Sequence, residues 1–130
     1  MNRIRAIAAV VGVAATLALS AGPAQASAQS TSGYIHGSDV IVGSCKAWMN
    51  ERGSGSSYET QGLVQSWGDY CRMELARSDD GGSTWHPVSN PYWVRNQAKE
   101  TGFHWDPPGH LTEVCLYDAV TRVGACSNSY

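Results

Sequence analysis

The chain has 130 residues, of which 42% are hydrophobic and 15% are charged, and these values fit a single folded domain. The formal net charge of −2 excludes the basic footprint that nucleic-acid binding requires. The five Trp, six Tyr and one Phe exclude an intrinsically disordered chain, because disordered segments are poor in aromatic residues.

Residues 1–26 have the organisation of a secretory signal peptide, with a short basic stretch, the apolar run 6–19 and a small-residue cleavage pattern that ends at Ala26. Ala28 ends a second candidate cleavage site. The apolar run is shorter than the roughly 20 residues of a membrane span, so we expect export and no membrane insertion of the mature chain. The leader, rich in Ala and Val, resembles secretory leaders of actinobacteria.

Removal of this leader changes the charge of the chain. It takes away two of the nine basic residues and none of the eleven acidic ones, which leaves about −4 on the mature protein. This charge disfavours binding to an anionic membrane surface.

The four cysteines all follow the leader. An even number of cysteines in a small exported chain predicts two disulfides. Three pairings are possible, and we favour Cys45–Cys71 with Cys115–Cys126, because sequential pairing leaves one bridge in each half of the chain. The sequence lacks the Cys-x-x-Cys spacing that is typical of zinc sites, and we predict no cofactor.

The small and polar residues 27–38 predict a flexible N-terminal tail, followed by one domain over residues 39–130. In that domain the apolar period is near two and turn residues recur every 8 to 12 positions. This pattern predicts a small antiparallel β-sandwich of the immunoglobulin-like type, with about seven strands. The predicted strands cover 39–49, 58–67, 69–77, 85–89, 92–97, 100–105, 111–118 and 124–129.

The segment Ser78–Trp85 matches the Asp-box pattern Ser-x-Asp-x-Gly-x-x-Trp. The resemblance implies a tight turn between two antiparallel strands, with a role in the fold rather than in catalysis. The residue types agree with it: Asp80 is expected to accept hydrogen bonds from the turn, and Gly82 to supply a positive φ.

The segment that begins Gln65-Ser66-Trp67 and ends at Tyr70 resembles a turn of the α-amylase inhibitors of the tendamistat type, small two-disulfide proteins secreted by actinobacteria. In that family a Trp-Arg-Tyr triplet follows Gln-Ser. Here Gly68 and Asp69 separate the two aromatic residues, the Arg is absent and the first bridge closes a longer loop. We therefore do not transfer the inhibitory activity.

The large aromatic residues exceed what a small core needs, so some are expected at the surface. Exposed rings stack on sugars or anchor protein interfaces. The predicted ligand-binding residues are Tyr92, Trp93, Phe103 and Trp105, which flank turns. The alternative is that Trp residues fill the core of a chain with few Leu, Ile and Phe.

The turn between His104 and His110 carries polar residues with two further interpretations. His104, Asp106 and His110 could hold a divalent metal, since imidazole and carboxylate suit zinc or copper. Either histidine could also form an acid–base pair with Glu113. The alternative is an exposed Pro-Gly turn without chemistry.

These observations predict a secreted, monomeric and non-catalytic binding protein whose partner is an extracellular carbohydrate or a target enzyme. One alternative is a small secreted hydrolase that uses His104 or His110 with Glu113. The other is a structural extracellular protein.

Overall fold

A computed structural model of the chain describes residues 33–130, so the predicted signal peptide lies outside the described residues. The described part contains eleven strands and one 3₁₀ turn, Gly55–Ser57. Within it, no helix has the length and apolar character needed to cross a membrane. The strands are β1 (Gly33–Tyr34), β2 (Val40–Val42), β3 (Cys45–Arg52), β4 (Glu59–Ser66), β5 (Cys71–Ser78), β6 (His86–Pro87), β7 (Tyr92–Val94), β8 (Ala98–Glu100), β9 (His104–Trp105), β10 (Leu111–Asp118) and β11 (Val123–Cys126).

The strands form two antiparallel sheets. In the first sheet β1 and β2 pair with one edge of β3, β4 pairs with its other edge, and β8 and β9 follow on β4. In the second sheet the order is β11, β10, β5, with β6 and β7 on the outer edge of β5. The chain leaves the first sheet after β4 and returns to it at β8, which is a Greek-key connection. The predicted all-β sandwich is confirmed.

The core between the sheets consists of small and medium-sized side chains. The largest fully buried ones include Met49, Met73, Leu75 and Leu116. None of the five Trp residues is fully buried, so the alternative in which Trp fills the core is wrong.

Both predicted disulfides are present, and they do different work. Cys45–Cys71 joins β3 to β5 and so links the two sheets, with both residues fully buried. Cys115–Cys126 joins the neighbouring strands β10 and β11 of the second sheet.

The prediction of one strand over 39–49 is wrong, because the chain reverses at Gly43-Ser44. Val42 pairs with Cys45 across this two-residue turn, and Gly43 has a φ of 57°. A positive φ at the first of two turn residues is typical of a type II′ hairpin, which favours Gly there. The reversal puts the Val residues of β2 and the inward residues of β3 on the same face of the sheet.

Residues 33–38 belong to the folded domain, although the sequence pattern assigns them to the flexible tail. Gly33 and Tyr34 pair with β3, and Ile35 is buried in the core. The Ser38 hydroxyl is buried, donates to Ile35 O at 2.7 Å and accepts from Met49 N–H at 2.9 Å. The described structure therefore extends the domain by six residues toward the N-terminus.

The segment that resembles an Asp-box is a turn organised around Asp80. Asp80 Oδ1 accepts from Thr84 N–H at 2.8 Å, and Asp80 Oδ2 accepts from the Thr84 hydroxyl at 2.6 Å. Gly81 and Gly82 have φ of 72° and 93°, which side chains rarely adopt. Hydrogen bonds from Thr84 and Ser78 lower the pKa of Asp80 to about 2.

Replacement of Gly43 by Ala should destabilise the fold by about 3 kcal/mol, because its Cβ would collide with buried Asp118 Oδ2 in addition to the cost of a positive φ. Gly55 is the matched control, with a φ of 54° but no atom near a new Cβ. Gly55→Ala should cost only about 1–2 kcal/mol. Urea unfolding of both variants measures the difference, and equal losses would contradict this account of Gly43.

Asp80 should contribute stability that depends on pH. The folded state favours its carboxylate, so the contribution is complete above the unfolded-state pKa of about 3.9 and is lost as the pH falls through about 2. The difference in unfolding free energy between the wild type and Asp80→Asn should therefore be constant above pH 4 and shrink toward pH 2. A difference independent of pH in chemical unfolding would contradict this prediction.

Candidate functional site

The two ends of the sandwich carry different groups of turns. The first end contains the turns 43–44, 67–70, 95–97 and 119–122, and the second end contains 53–58, 79–85 and 106–110. The eight residues of β4 connect the two ends, which places them roughly 25 Å apart.

Exposed aromatic side chains mark the first end. Trp67 and Tyr70 lie on the turn between β4 and β5, and Trp67 has 64% of its surface exposed. Tyr70 stacks on Trp93 of β7, with ring centroids 4.8 Å apart and an interplanar angle of 20°. We call residues 67–70 the aromatic loop.

Hydrogen bonds to Ser44 hold the aromatic loop from the side of the β2–β3 turn. Trp67 N–H donates to Ser44 O at 3.0 Å, and Asp69 N–H donates to the Ser44 hydroxyl at 2.8 Å. Asp69 Oδ2 accepts in return from Ser44 N–H at 3.1 Å. The β2–β3 turn and the aromatic loop, neighbours at the first end, thus fix each other.

Ser66 ties the aromatic loop to the turn between β7 and β8. Its buried hydroxyl donates to Asp69 O at 2.5 Å and accepts from Asn96 N–H at 3.2 Å. Arg95 Nε donates to Gly68 O at 3.1 Å. The loop backbone is therefore bound on both sides while its aromatic rings project into solvent.

Asp118 closes the first end from the second sheet. Its carboxylate is buried under Gly43 and accepts from Val120 N–H at 2.8 Å. Burial opposes its ionisation, but the hydrogen bonds from Val120, Asp69 and Thr121 hold the pKa of Asp118 below its ordinary value. Ala119 N–H donates to Tyr70 O at 2.9 Å, so this turn also supports the aromatic loop.

Three cationic side chains lie close to the stacked rings, whereas Asp69 of the aromatic loop directs its carboxylate to Ser44 N–H. Arg72 lies opposite Trp93 in the register of β5 and β7 and pairs with Glu74 at 2.9 Å. Arg95 and Lys99 approach backbone carbonyls of this end, and in residues 33–130 neither has a carboxylate within 4.0 Å.

The four predicted ligand-binding residues lie in different environments. Trp93 is exposed at the first end, and Trp105 is exposed at the second. Tyr92 packs against the core, and Phe103 lies under the Arg52 guanidinium, 4.1 Å from the ring centroid. The structure does not bring these four together, and it exposes Trp67 and Tyr70, which the sequence analysis does not predict as ligand-binding.

The predicted acid–base residues do not form the expected pair. His110 Nδ1 lies 2.5 Å from Asp79 Oδ1, a partner that the sequence interpretation missed. Glu113 lies on β10, with its Oε1 3.5 Å from Cys115 Sγ of the disulfide, and His104 of β9 pairs with Thr60 of β4.

The metal site considered at this turn is not assembled. Among residues 33–130, the one group of three or more possible ligands with atoms within 4.8 Å of one another is Glu113, Cys115 and Cys126, where the two sulfurs form the disulfide. His104, Asp106 and His110 do not form such a group.

Comparison of the chain with known family models, curated proteins and solved structures finds no match. The functional interpretation therefore depends on the chemistry of the site. At the first end this chemistry is non-covalent: a fixed loop, projecting aromatic rings and cationic neighbours.

Ser66→Ala should loosen the aromatic loop and cost about 1–3 kcal/mol of stability, because Asp69 O loses its hydrogen-bond donor and Asn96 N–H loses its acceptor. Ser38→Ala is the control, since Ser38 is equally buried and bonded but does not contact the loop. Only Ser66→Ala should accelerate hydrogen exchange of the Gly68 and Asn96 amides relative to the core amides. Equal acceleration in both variants would contradict the role assigned to Ser66.

Proposed function

We propose that the protein is exported after removal of residues 1–26 and acts as a binding protein that inserts Trp67 into an apolar pocket of an extracellular target protein. The observation that carries the proposal is the exposure of Trp67 on a loop whose backbone is fixed on both sides. A pre-organised loop loses little conformational entropy on binding.

The arrangement of the rings favours a protein target over a polysaccharide. A flat sugar-binding platform needs open ring faces, but Tyr70 and Trp93 each cover a face of the other. Among residues 33–130, Trp67 forms no stacked pair with another aromatic ring, and it projects singly, as an interface anchor does. Trp, Tyr and Arg are the residue types enriched among the residues that dominate binding energy in protein interfaces.

The cationic neighbours indicate the charge of the target. Arg95 contacts Gly68 of the aromatic loop and Lys99 contacts the backbone of Trp93, and neither has a carboxylate partner in the described residues. They are therefore available to attract an acidic rim around the target pocket, which would accelerate association and make its rate salt-dependent. The cleft of a secreted enzyme with acidic residues at its edge has these properties.

Trp67→Ala should weaken binding to the target by roughly 30-fold or more, which corresponds to about 2 kcal/mol, because the side chain that fills the pocket is removed. The experiment compares wild-type residues 27–130 with Trp67→Ala, both immobilised, for retention of secreted proteins identified by mass spectrometry. Trp105→Ala is the matched control, an equally exposed Trp at the second end. The retained proteins should be the same for the wild type and the control and be depleted for Trp67→Ala.

A second arm measures inhibition of purified secreted hydrolases: α-amylase, subtilisin, trypsin and lysozyme. Inhibition by the wild type that is lost in Trp67→Ala would identify the target class directly. The proposal is wrong if no protein distinguishes Trp67→Ala from the control, or if Trp67→Ala instead abolishes retention on insoluble cellulose or chitin.

A further inference from the structure

The two disulfides differ in exposure and in what they join. Cys45–Cys71 is fully buried between the sheets. Cys115–Cys126 lies on the outer face of the second sheet, where Cys115 is half-buried and Cys126 is exposed. Its two residues are direct partners in the register of β10 and β11. In the folded protein, a dissolved thiol can therefore reach the second bridge and not the first.

Backbone hydrogen bonds hold the C-terminal segment on both sides of the second bridge. Before the bridge, the register pairs β10 with β11 over three further residue pairs, from Leu116–Ala125 to Asp118–Val123. After it, Ser127 N–H donates to Val114 O at 2.9 Å, and Thr112 N–H donates to Tyr130 O at 2.8 Å. We therefore expect the fold to persist when this bond is opened.

The sheet leaves one sulfur of this bridge open to attack. A disulfide exchanges when a thiolate attacks one sulfur and the other sulfur leaves. In the described residues β11 is an edge strand, so the side of Cys126 turned away from β10 faces solvent. Cys115 lies opposite Glu74 of β5, and the recess beside it is about 50 Å³, enough for a water molecule but not for a thiol compound. Cys126 is therefore the sulfur attacked, and Cys115 is the leaving group.

Glu113 lies beside the leaving sulfur. Its Oε1 is 3.5 Å from Cys115 Sγ, and a carboxyl oxygen of Glu113 and both sulfurs lie within 4.8 Å of one another. Among residues 33–130, no Lys, Arg or His nitrogen lies within 4.0 Å of the Glu113 carboxyl group. A disulfide sulfur carries no hydrogen, so Glu113 is the donor in this contact when its carboxyl group is protonated.

The surroundings of Glu113 favour its protonated form. Burial raises the pKa of Glu113. Arg72 is paired with Glu74 at 2.9 Å and Arg77 with Asp79 at 2.8 Å, and β11 has no ionisable side chain besides its cysteine. The other ionisable residues of β10 and of the segment that follows β11 are Tyr117, Asp118 and Tyr130. A falling pH therefore changes Glu113 from an anion that repels a thiolate into an acid beside the leaving sulfur.

We propose that Cys115–Cys126 is a reactive disulfide that takes up a low-molecular-weight thiol at Cys126, with Glu113 as the acid that protonates the leaving Cys115. The thiolate sulfur forms a bond to Cys126 Sγ, and the electron pair of the broken bond goes to Cys115 Sγ. The Glu113 proton then moves to that sulfur. The products are a mixed disulfide on Cys126, a Cys115 thiol and a Glu113 carboxylate. This site does not involve the aromatic loop and is independent of the function proposed above.

The first experiment locates the reaction. Residues 27–130, with both bridges formed, are treated with excess 2-mercaptoethanol, quenched in acid and trapped with N-ethylmaleimide, and peptide mass mapping identifies each cysteine adduct. Cys115–Cys126 should open about tenfold faster than Cys45–Cys71 or more, because only the second bridge is exposed. The mercaptoethanol adduct should lie on Cys126, and the maleimide on Cys115. Circular dichroism of the opened protein should retain the β-sheet spectrum.

The second experiment tests the role of Glu113 through the pH dependence of the rate. Each rate measured between pH 5 and pH 8 is divided by the thiolate concentration. In the wild type this rate constant should rise about fivefold or more as the pH falls from 8 to 5, because Glu113 gains its proton. Glu113→Gln should show no such rise and stay below the wild-type value at pH 5. Glu74→Gln is the matched control, a second carboxyl group opposite Cys115, and should keep the wild-type profile.

Four results would overturn the proposal: equal opening rates of the two bridges, an adduct mainly on Cys115, loss of the β-sheet spectrum on opening, or a wild-type pH profile in Glu113→Gln. The first three are measured on the wild type and do not depend on how a variant folds. None of them involves a target protein, so they leave the role of Trp67 to its own test.

Discussion

The Cys45–Cys71 bridge is the contact on which most of this structure depends. It joins the start of β3 to the start of β5, across the two sheets, in a fully buried position at the first end. In the chain-entropy model, a closed loop of this length contributes roughly 3–4 kcal/mol. The aromatic loop immediately precedes Cys71, so the same bond that holds the sheets together also fixes the C-terminal end of that loop. Ser44 precedes Cys45, the other cysteine of this bridge, and accepts hydrogen bonds from the Trp67 and Asp69 N–H groups of the loop.

The parts of the fold that the sequence predicts well are the regular strands with one buried face. In β5, Cys71, Met73 and Leu75 alternate with polar residues and are buried, and the structure pairs this strand along its full length with β10. The strand boundaries within residues 33–48 are harder to predict from the sequence. A single strand over 39–49 would place Val40 and Val42 on the face opposite Cys45, and the reversal at Gly43 places all three inside. A period-two pattern does not reveal a hairpin when the turn is a common Gly-Ser pair.

The candidate site was harder to predict because it depends on contacts between distant segments. Asp79 and His110 are 31 residues apart, and they meet because the register of β5 and β10 places Ser78 opposite Leu111. Trp67 lies in a segment whose family resemblance was noted, yet its projection follows from hydrogen bonds to Ser44 and Ser66, which single-sequence reasoning does not provide. Trp93 was predicted from its place beside a turn, and its partner Tyr70 was missed because β7 pairs with β5 out of chain order.

The thin core explains why the large aromatic residues lie at the ends and on the outer surfaces. Several inward positions carry small residues, among them Ala47 and Gly62, and a Cβ at Gly62 would lie 3.1 Å from Met73 Sδ. Sheets packed this closely have no room for an indole between them. Trp67 follows β4, and Trp105 is the last residue of β9, both in the first sheet. At these strand ends the space between the sheets no longer encloses a side chain. Singly exposed apolar residues are common at protein surfaces, so the grouping of Trp67, Tyr70 and Trp93 at the first end is the exposed surface that points to an interaction site.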